Sequence, residues 1–350
     1  MTYEIPPALE VQLRCPRTRS QLRREGDFYV SVEGNHRYPI VHDIPVLLAT
    51  QTDKTLWVAD ASVKSALANP DDQFHQETLG LSVDERAQLK ARLAAHALAP
   101  EPLDPVVSFM VGATSGYMYT EQVGRMTAAP IPELRLPEGR GEVLLDIGCN
   151  WGRWSIAAAQ RGYTAVGMDP SLGAVLAAKR LARSMGVNAH FIVGDALHLP
   201  FAANTFDVIF SYSVLQHFST PQAAAAIAQA ARVSKPDAKL FIQMANRFGI
   251  RSIYHQLRRQ FREPHDFDVR YYSPAALKDL FASNFGPSEL SVDGFFGLGM
   301  QPSDQSKLPP HKQLILTVAE LFRCGSDWVQ PLSLVADSLY VTSRKARAAP

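Results

Sequence analysis

Short apolar runs alternate with helix-like stretches through the second half of the chain. Runs at 143–147, 164–168, 189–193, 206–211 and 238–244 predict five strands, and the intervals between them carry helical spacing. A further strand is expected at 336–342, near the end of the chain. Alternation of this kind predicts a parallel sheet with helices packed on it. The first fifty residues have a different texture. Asp27-Phe28-Tyr29-Val30-Ser31-Val32 predicts a strand, Glu33-Gly34-Asn35 a turn, and the runs after Arg37 and Asp43 two more short strands. Pro39 and Pro45 suit edge or irregular strands, not central ones. Between 51 and 137 the chain turns helical and alanine-rich. Ser82 and Glu85 hold the capping-box positions of a helix over 82–97, and Pro100, Pro102 and Pro105 then break the chain. These textures divide the sequence into a small β-rich module at 1–50, a helical linker or cap at 51–137, and an α/β domain at 138–346 interrupted at 246–269 and 297–332.

The strand ends carry the chemistry. Strand 143–147 is apolar up to Asp146 and then breaks at Gly148-Cys149-Asn150-Trp151-Gly152 before a helix restarts. A strand, a glycine turn and a helix form a nucleotide site, because glycines let backbone approach a ligand and the helix start offers unpaired N–H groups. Strand 164–168 ends at Asp169-Pro170, and Asp169 lies 23 positions after Asp146 (169 − 146), near the roughly 20-residue offset of a ribose-binding acid. The next strand ends at Gly194-Asp195-Ala196, and the fourth contains Phe206-Asp207-Val208-Ile209 and ends at Ser211-Tyr212. A dinucleotide enzyme is the competing assignment for the glycine turn alone. An aspartate just before the turn repels a pyrophosphate and suits an ammonium group.

Composition changes this picture little. Hydrophobic residues make up 46% and charged residues 20% of 350, ordinary for a globular protein. A net charge of +1 gives no global signal for nucleic acid. No signal peptide is visible, and no apolar run approaches the ~18 residues of a membrane span. Cys15, Cys149 and Cys324 are few and far apart, which suits free thiols in a reducing cytoplasm.

With the turn, Asp169, Gly194-Asp195-Ala196 and the Phe206 strand in this order, the stretch 141–245 resembles the class I S-adenosylmethionine-dependent methyltransferases, particularly the ubiquinone-biosynthesis-type enzymes. A weaker likeness runs through Arg270-Tyr271-Tyr272-Ser273-Pro274. The resemblance implies a Rossmann-like sheet, parallel with an antiparallel last strand, and S-adenosyl-L-methionine as cofactor. It places Asp146, Gly148, Cys149, Asn150 and Gly152 at the methionine end, Asp169 and Pro170 at the ribose, and Asp195 and Ala196 at the adenine. Ser211 and Tyr212 face the cofactor from the fourth strand. Asn150 departs from the usual central glycine. Asparagine tolerates left-handed backbone better than other side chains do, so the turn survives. Trp151 and Trp154 are also unusual; packing in the helix–sheet interface is favoured for Trp154 over contact with the cofactor. Around Cys15 the N-terminal module resembles the small zinc-ribbon activators of some transfer-RNA and protein methyltransferases. Cys15 stands alone, Thr18 takes the expected partner position, and no second cysteine pair follows, so no structural metal is expected.

Methyl transfer to a good nucleophile needs mainly alignment, but a hydroxyl acceptor benefits from a base. His217, just past the fourth strand, is the candidate, against a bland role in a helix-initiating turn. His190 and His198 read as structural or surface residues. The segment 246–263 carries five arginines among aromatics. Arg247, Arg251, Tyr254 and His255 are its candidate acceptor contacts, and the arginines favour an anionic small-molecule or glycan acceptor. A peripheral membrane contact through an amphipathic helix and a plain solvated helix are the alternatives. The insertion 297–332 reads as a lid or homodimer contact, and Tyr117 and Tyr119 as residues of a helix that closes over the cofactor. The expected activity is O-methylation of a biosynthetic intermediate. A non-catalytic scaffold is the alternative, and RNA methylation ranks below both because no separate RNA-binding motif appears.

Overall fold

The computed structural model describes residues 5–49, 63–64, 66–68, 82–95, 102–115, 117–265, 268–297, 301–329 and 331–345. The chain divides into two compact units, Met1–Ala202 and Ala203–Pro350.

In the first unit, strands β1 (Leu22–Glu25), β2 (Phe28–Ser31), β3 (Arg37–Val41) and β4 (Ile44–Leu47) precede β5 (Val143–Ile147), β6 (Thr164–Asp169) and β7 (Ala189–Gly194). Their spatial order is β1-β2-β3-β4-β7-β6-β5. β5, β6 and β7 run parallel, and β1 to β4 form antiparallel hairpins. β4 joins β7 in parallel, with Val46 opposite Val193 and Leu47 opposite Gly194. The N-terminal strands therefore extend the parallel sheet of β5 to β7. Pro45 suits an edge, yet β4 lies between β3 and β7. It is tolerated because pairing changes sides along the strand: Ile44 and Pro45 pair with β3, while Val46 and Leu47 pair with β7. The turn between β3 and β4 places His42 and Asp43 at φ 50° and 61°, the two-residue hairpin geometry that suits strand twist. Lys179, buried on the helix Leu172–Ser184, reaches that turn and donates to the His42 carbonyl at 2.7 Å and to Asp43 at 3.3 Å.

β6 and β7 are buried almost throughout because helices Arg153–Gln160 and Leu172–Ser184 cover them. The capping box at Ser82 forms as predicted: the Ser82 amide donates to Glu85 at 2.8 Å and Glu85 N–H donates back to Ser82 Oγ at 3.2 Å. The described helix runs Val83–Ala95, and 96–97 lie outside the described residues. Asp104 caps the buried helix Pro105–Thr114 by accepting from Val106 and Val107, and it holds Arg180 at 2.6 Å.

In the second unit the order is β8 (Phe206–Tyr212), β9 (Ser234–Ala245), β11 (Ser338–Arg344), β10 (Ser288–Gly294). β8 and β9 are parallel, and β11 is antiparallel to both neighbours. The antiparallel last strand matches the expected methyltransferase arrangement. Helix Thr220–Val233 starts at a complete Ser219/Gln222 capping box, and helix Pro274–Asn284 at Ser273. The insertion forms helix Pro310–Ser326.

Candidate functional site

The turn after β5 alternates its backbone hand. Gly148, Asn150 and Gly152 adopt φ of 76°, 49° and 83°. Asn150 thus occupies the left-handed position that glycine usually fills, as expected from its chemistry. Its side chain is used as well: Asn150 Oδ1 accepts from Thr114 Oγ1 at 3.1 Å. Gly148 and Cys149 N–H groups donate to the Met168 carbonyl at 2.7 and 3.0 Å, tying the turn to the end of β6. At Gly152 a Cβ would lie 2.8 Å from the Ala178 Cβ, so bare backbone lets the two helices approach.

Asp146 is 1% exposed. Its Oδ2 accepts from Ser155 Oγ at 2.6 Å, and its Oδ1 has no partner among the described residues. Burial pushes its carboxyl up to about 7, although the Ser155 hydrogen bond works the other way. Asp169 accepts the amides of Asn150 at 3.0 Å and Ser171 at 2.9 Å. Burial raises it to about 6 against those two donors. Pro170 beside it is half-buried. The Cys149 thiol is buried, and burial followed by the Asp169 and Asp146 charges pushes it well up, so it stays neutral. Asp195 folds back on its own turn, accepting from Leu197 N–H at 3.1 Å and meeting His198 Nδ1 at 2.9 Å. Ala196 is buried next to it. Asp146, Gly148, Asn150, Asp169 and Asp195 thus gather at the carboxyl ends of β5, β6 and β7, where an open α/β sheet takes its ligand.

Sequence reasoning missed four residues here. Ser155 is the hydroxyl partner of Asp146. Gly167 sits inside β6, where a Cβ would lie 2.6 Å from Ser155 Oγ, 2.7 Å from the Phe191 ring and 2.9 Å from Cys149 Sγ. Glycine inside a strand was the available signal for this close approach. Thr114 and Ser115 reach the turn from the preceding helix, Ser115 by accepting from Trp151 Nε1 at 2.9 Å. Trp151 and Trp154 are both buried, and the Arg153 guanidinium lies 5.7 and 5.6 Å from their rings. Tyr119 is buried, and the Tyr117 side chain lies outside the described residues.

In the second unit, Ser211 and Tyr212 are buried at the end of β8. Tyr212 OH donates to Asp293 Oδ2 and accepts from Gln301 Nε2, both at 2.7 Å, so its hydroxyl serves a network inside this unit. Ser338 Oγ donates to the same Asp293 oxygen at 2.7 Å and receives Gln243 Nε2. The chain turns at Ser213, with φ 59° and its hydroxyl donating to Gln243 Oε1 at 2.7 Å. His217 ends a short 3-10 turn, is half-buried, and offers its carbonyl to Arg270 at 2.6 Å. Arg247, Arg251, Tyr254 and His255 are all exposed on or beside the helix Ile250–Arg258. Partial burial, followed by the Arg251 and Arg258 charges, lowers the His255 pKa below its ordinary value and keeps the ring neutral at pH 7.

Ahead of the N-terminal strands, Cys15 is buried. Its sulfur meets Tyr38 OH at 3.1 Å and accepts from Thr18 N–H at 3.4 Å. Burial opposes the thiolate, but hydrogen bonds from Thr18 and Tyr38 prevail and bring the thiol below its ordinary value. Among the described residues no three His, Cys, Asp or Glu side chains group as metal ligands do.

Residues 144–237 match a family described as a methyltransferase domain. A ubiquinone biosynthesis O-methyltransferase of Azorhizobium caulinodans is 29% identical over 159 residues, covering 43% of this chain and 62% of that one. The enzyme of the same description from Hahella chejuensis is 35% identical over 108 residues, 31% of this chain and 44% of that one. The chain thus spans about half the length of the curated relatives it matches. Among solved structures, a Methanosarcina mazei protein described as an S-adenosylmethionine-dependent methyltransferase is 17% identical, with a TM-score of 0.43 over 60% of this chain and 94% of that one.

Proposed function

We propose that this chain transfers a methyl group from S-adenosylmethionine to a hydroxyl oxygen of a small-molecule or glycan biosynthetic intermediate. One observation carries the reading: a buried carboxylate oxygen, Asp146 Oδ1, is left unpartnered beside a left-handed turn, within the segment that matches the methyltransferase family. A buried acceptor without a donor costs ~1–3 kcal/mol. The cofactor's amino-acid end has the ammonium group that relieves this, and its ribose offers two hydroxyls to Asp169. The residues therefore fit the cofactor, which when bound supplies a methyl group made electrophilic by a sulfonium centre. Asp146 holds the ammonium in its ionised form, Asp169 orients the ribose, and Asp195 with Ala196 bounds the adenine. Ser155 and the Met168 carbonyl keep Asp146 and the turn in place. His217 takes the proton from the acceptor hydroxyl. Its similarity to ubiquinone biosynthesis O-methyltransferases supports an oxygen acceptor.

Calorimetric titration with S-adenosylmethionine and S-adenosylhomocysteine tests the cofactor. Binding of neither removes the reading. Incubating the protein with carbon-13 methyl-labelled cofactor and a metabolite extract then tests the acceptor: a base-labile label is an ester, and a base-stable one is an ether only where the methyl carbon's NMR shift places it on oxygen.

A further inference from the structure

The helix Ile250–Arg258 is built inside out. Surface helices bury an apolar stripe and expose a polar face. Here the residues turned inward are Ser252 and Gln256, with Gly249 at the N-cap. Ser252 N–H donates to Asp337 at 2.8 Å, and Gln256 Nε2 donates to the Arg247 carbonyl at 2.8 Å. The residues turned outward are apolar: Phe248, Ile250, Ile253, Tyr254, Leu257 and Phe261 are 41 to 59% exposed. Ile250, Ile253, Tyr254 and Leu257 follow helical spacing and form one stripe. Asn246 Nδ2 donates to the carbonyls of Leu334 and Ala336 at 2.9 and 2.7 Å, which brings the exposed Leu334 and Val335 beside the start of the helix. Charge surrounds the stripe. Between 246 and 263 there are five arginines and one glutamate.

We infer that this face docks the protein on an anionic lipid surface, with the helix lying along the headgroups. An apolar stripe rimmed by arginine is the arrangement that partitions into the headgroup–acyl boundary of a negatively charged bilayer. No helix among the described residues is long and apolar enough to cross a membrane. A second copy of the chain is a poor occupant, because two such faces bring arginines against arginines. The inference stands on exposure and charge, independently of the methyl-transfer reading.

The test is co-sedimentation of the whole protein with vesicles of phosphatidylcholine alone or with a quarter phosphatidylglycerol. Binding is expected only to the anionic vesicles and should weaken with salt. The double variant Ile253→Ser, Leu257→Ser and the double variant Arg258→Glu, Arg262→Glu should each lower partitioning by about tenfold or more, since each arginine held near the headgroups contributes roughly fivefold. Thermal melts and far-ultraviolet circular dichroism check that each variant keeps its fold. Equal recovery with both vesicle types overturns the inference, as does undiminished partitioning of either variant. A lipid-free dimer that Ile253→Ser, Leu257→Ser dissociates assigns the face to a second copy and also overturns it.

Discussion

Replacing Ser155 with alanine should raise the pH at which the protein takes up S-adenosylhomocysteine. The Ser155 hydroxyl donates to Asp146 Oδ2 at 2.6 Å, while burial has already raised that carboxyl to about 7. Only the ionised carboxyl can pair with an ammonium group. In the wild type, affinity is therefore full above about pH 7 and falls as the pH drops. The fall is about tenfold per pH unit for this group alone. Asp169, at about 6, adds a second loss below that pH. A hydrogen bond to a charged carboxylate contributes ~1.5 kcal/mol or more, so its loss moves the required pH up by about one. In the ligand-free protein the sign reverses. A folded-state value above the unfolded one means that the folded chain binds the extra proton, so Asp146 destabilises the empty protein above pH 7 and less so on acidification. The assay is calorimetric titration with S-adenosylhomocysteine from pH 5.5 to 8.5, with thermal melts of the empty protein over the same range. A wild-type affinity independent of pH refutes the reasoning, and so does a Ser155→Ala profile that overlays the wild type.

Three further outcomes follow from the same geometry. Gly167→Ala drives a Cβ into Ser155, Phe191 and Cys149 at 2.6 to 2.9 Å, so it should cost ~1–3 kcal/mol in urea unfolding and weaken cofactor binding as Ser155 is displaced. Asn150→Ala should cost ~1–2 kcal/mol by combining left-handed strain with loss of the Thr114 bond, while Asn150→Gly should stay within ~1 kcal/mol of wild type; urea midpoints decide between them. His217→Ala should slow turnover of a hydroxyl acceptor by about a hundredfold or more and leave S-adenosylhomocysteine affinity unchanged. Unchanged turnover removes His217 as the base.

The sheet was legible where burial on both faces makes strands continuous apolar runs, as in 143–147 and 189–193. The cluster of acids was legible because Asp146, Asp169 and Asp195 sit at or near strand ends, where they interrupt those runs. β1, with Leu22-Arg23-Arg24-Glu25, was invisible because three of its four residues face solvent. The place of β4 was equally hidden, since nothing local announces a partner at Val193. Ser155 was unreadable because a serine in a helix is ordinary until its neighbour is a buried acid. The pairing of the Tyr212 hydroxyl was hidden too, since its partners, Asp293 and Gln301, lie 81 and 89 positions away. Long-range hydrogen bonds of that kind leave no periodic trace.

The parallel join of β4 to β7 has a consequence for how the chain matures. During synthesis Val46 emerges early and must wait for Val193, so the N-terminal hairpins spend that interval with one flank unsatisfied. Deleting the first 48 residues would leave β7 as a bare edge, open to pairing with another molecule. It would also remove the His42 carbonyl and the Asp43 carboxylate that the Lys179 ammonium meets at 2.7 and 3.3 Å. The truncated protein should aggregate, because the N-terminal segment is what closes that border of the sheet.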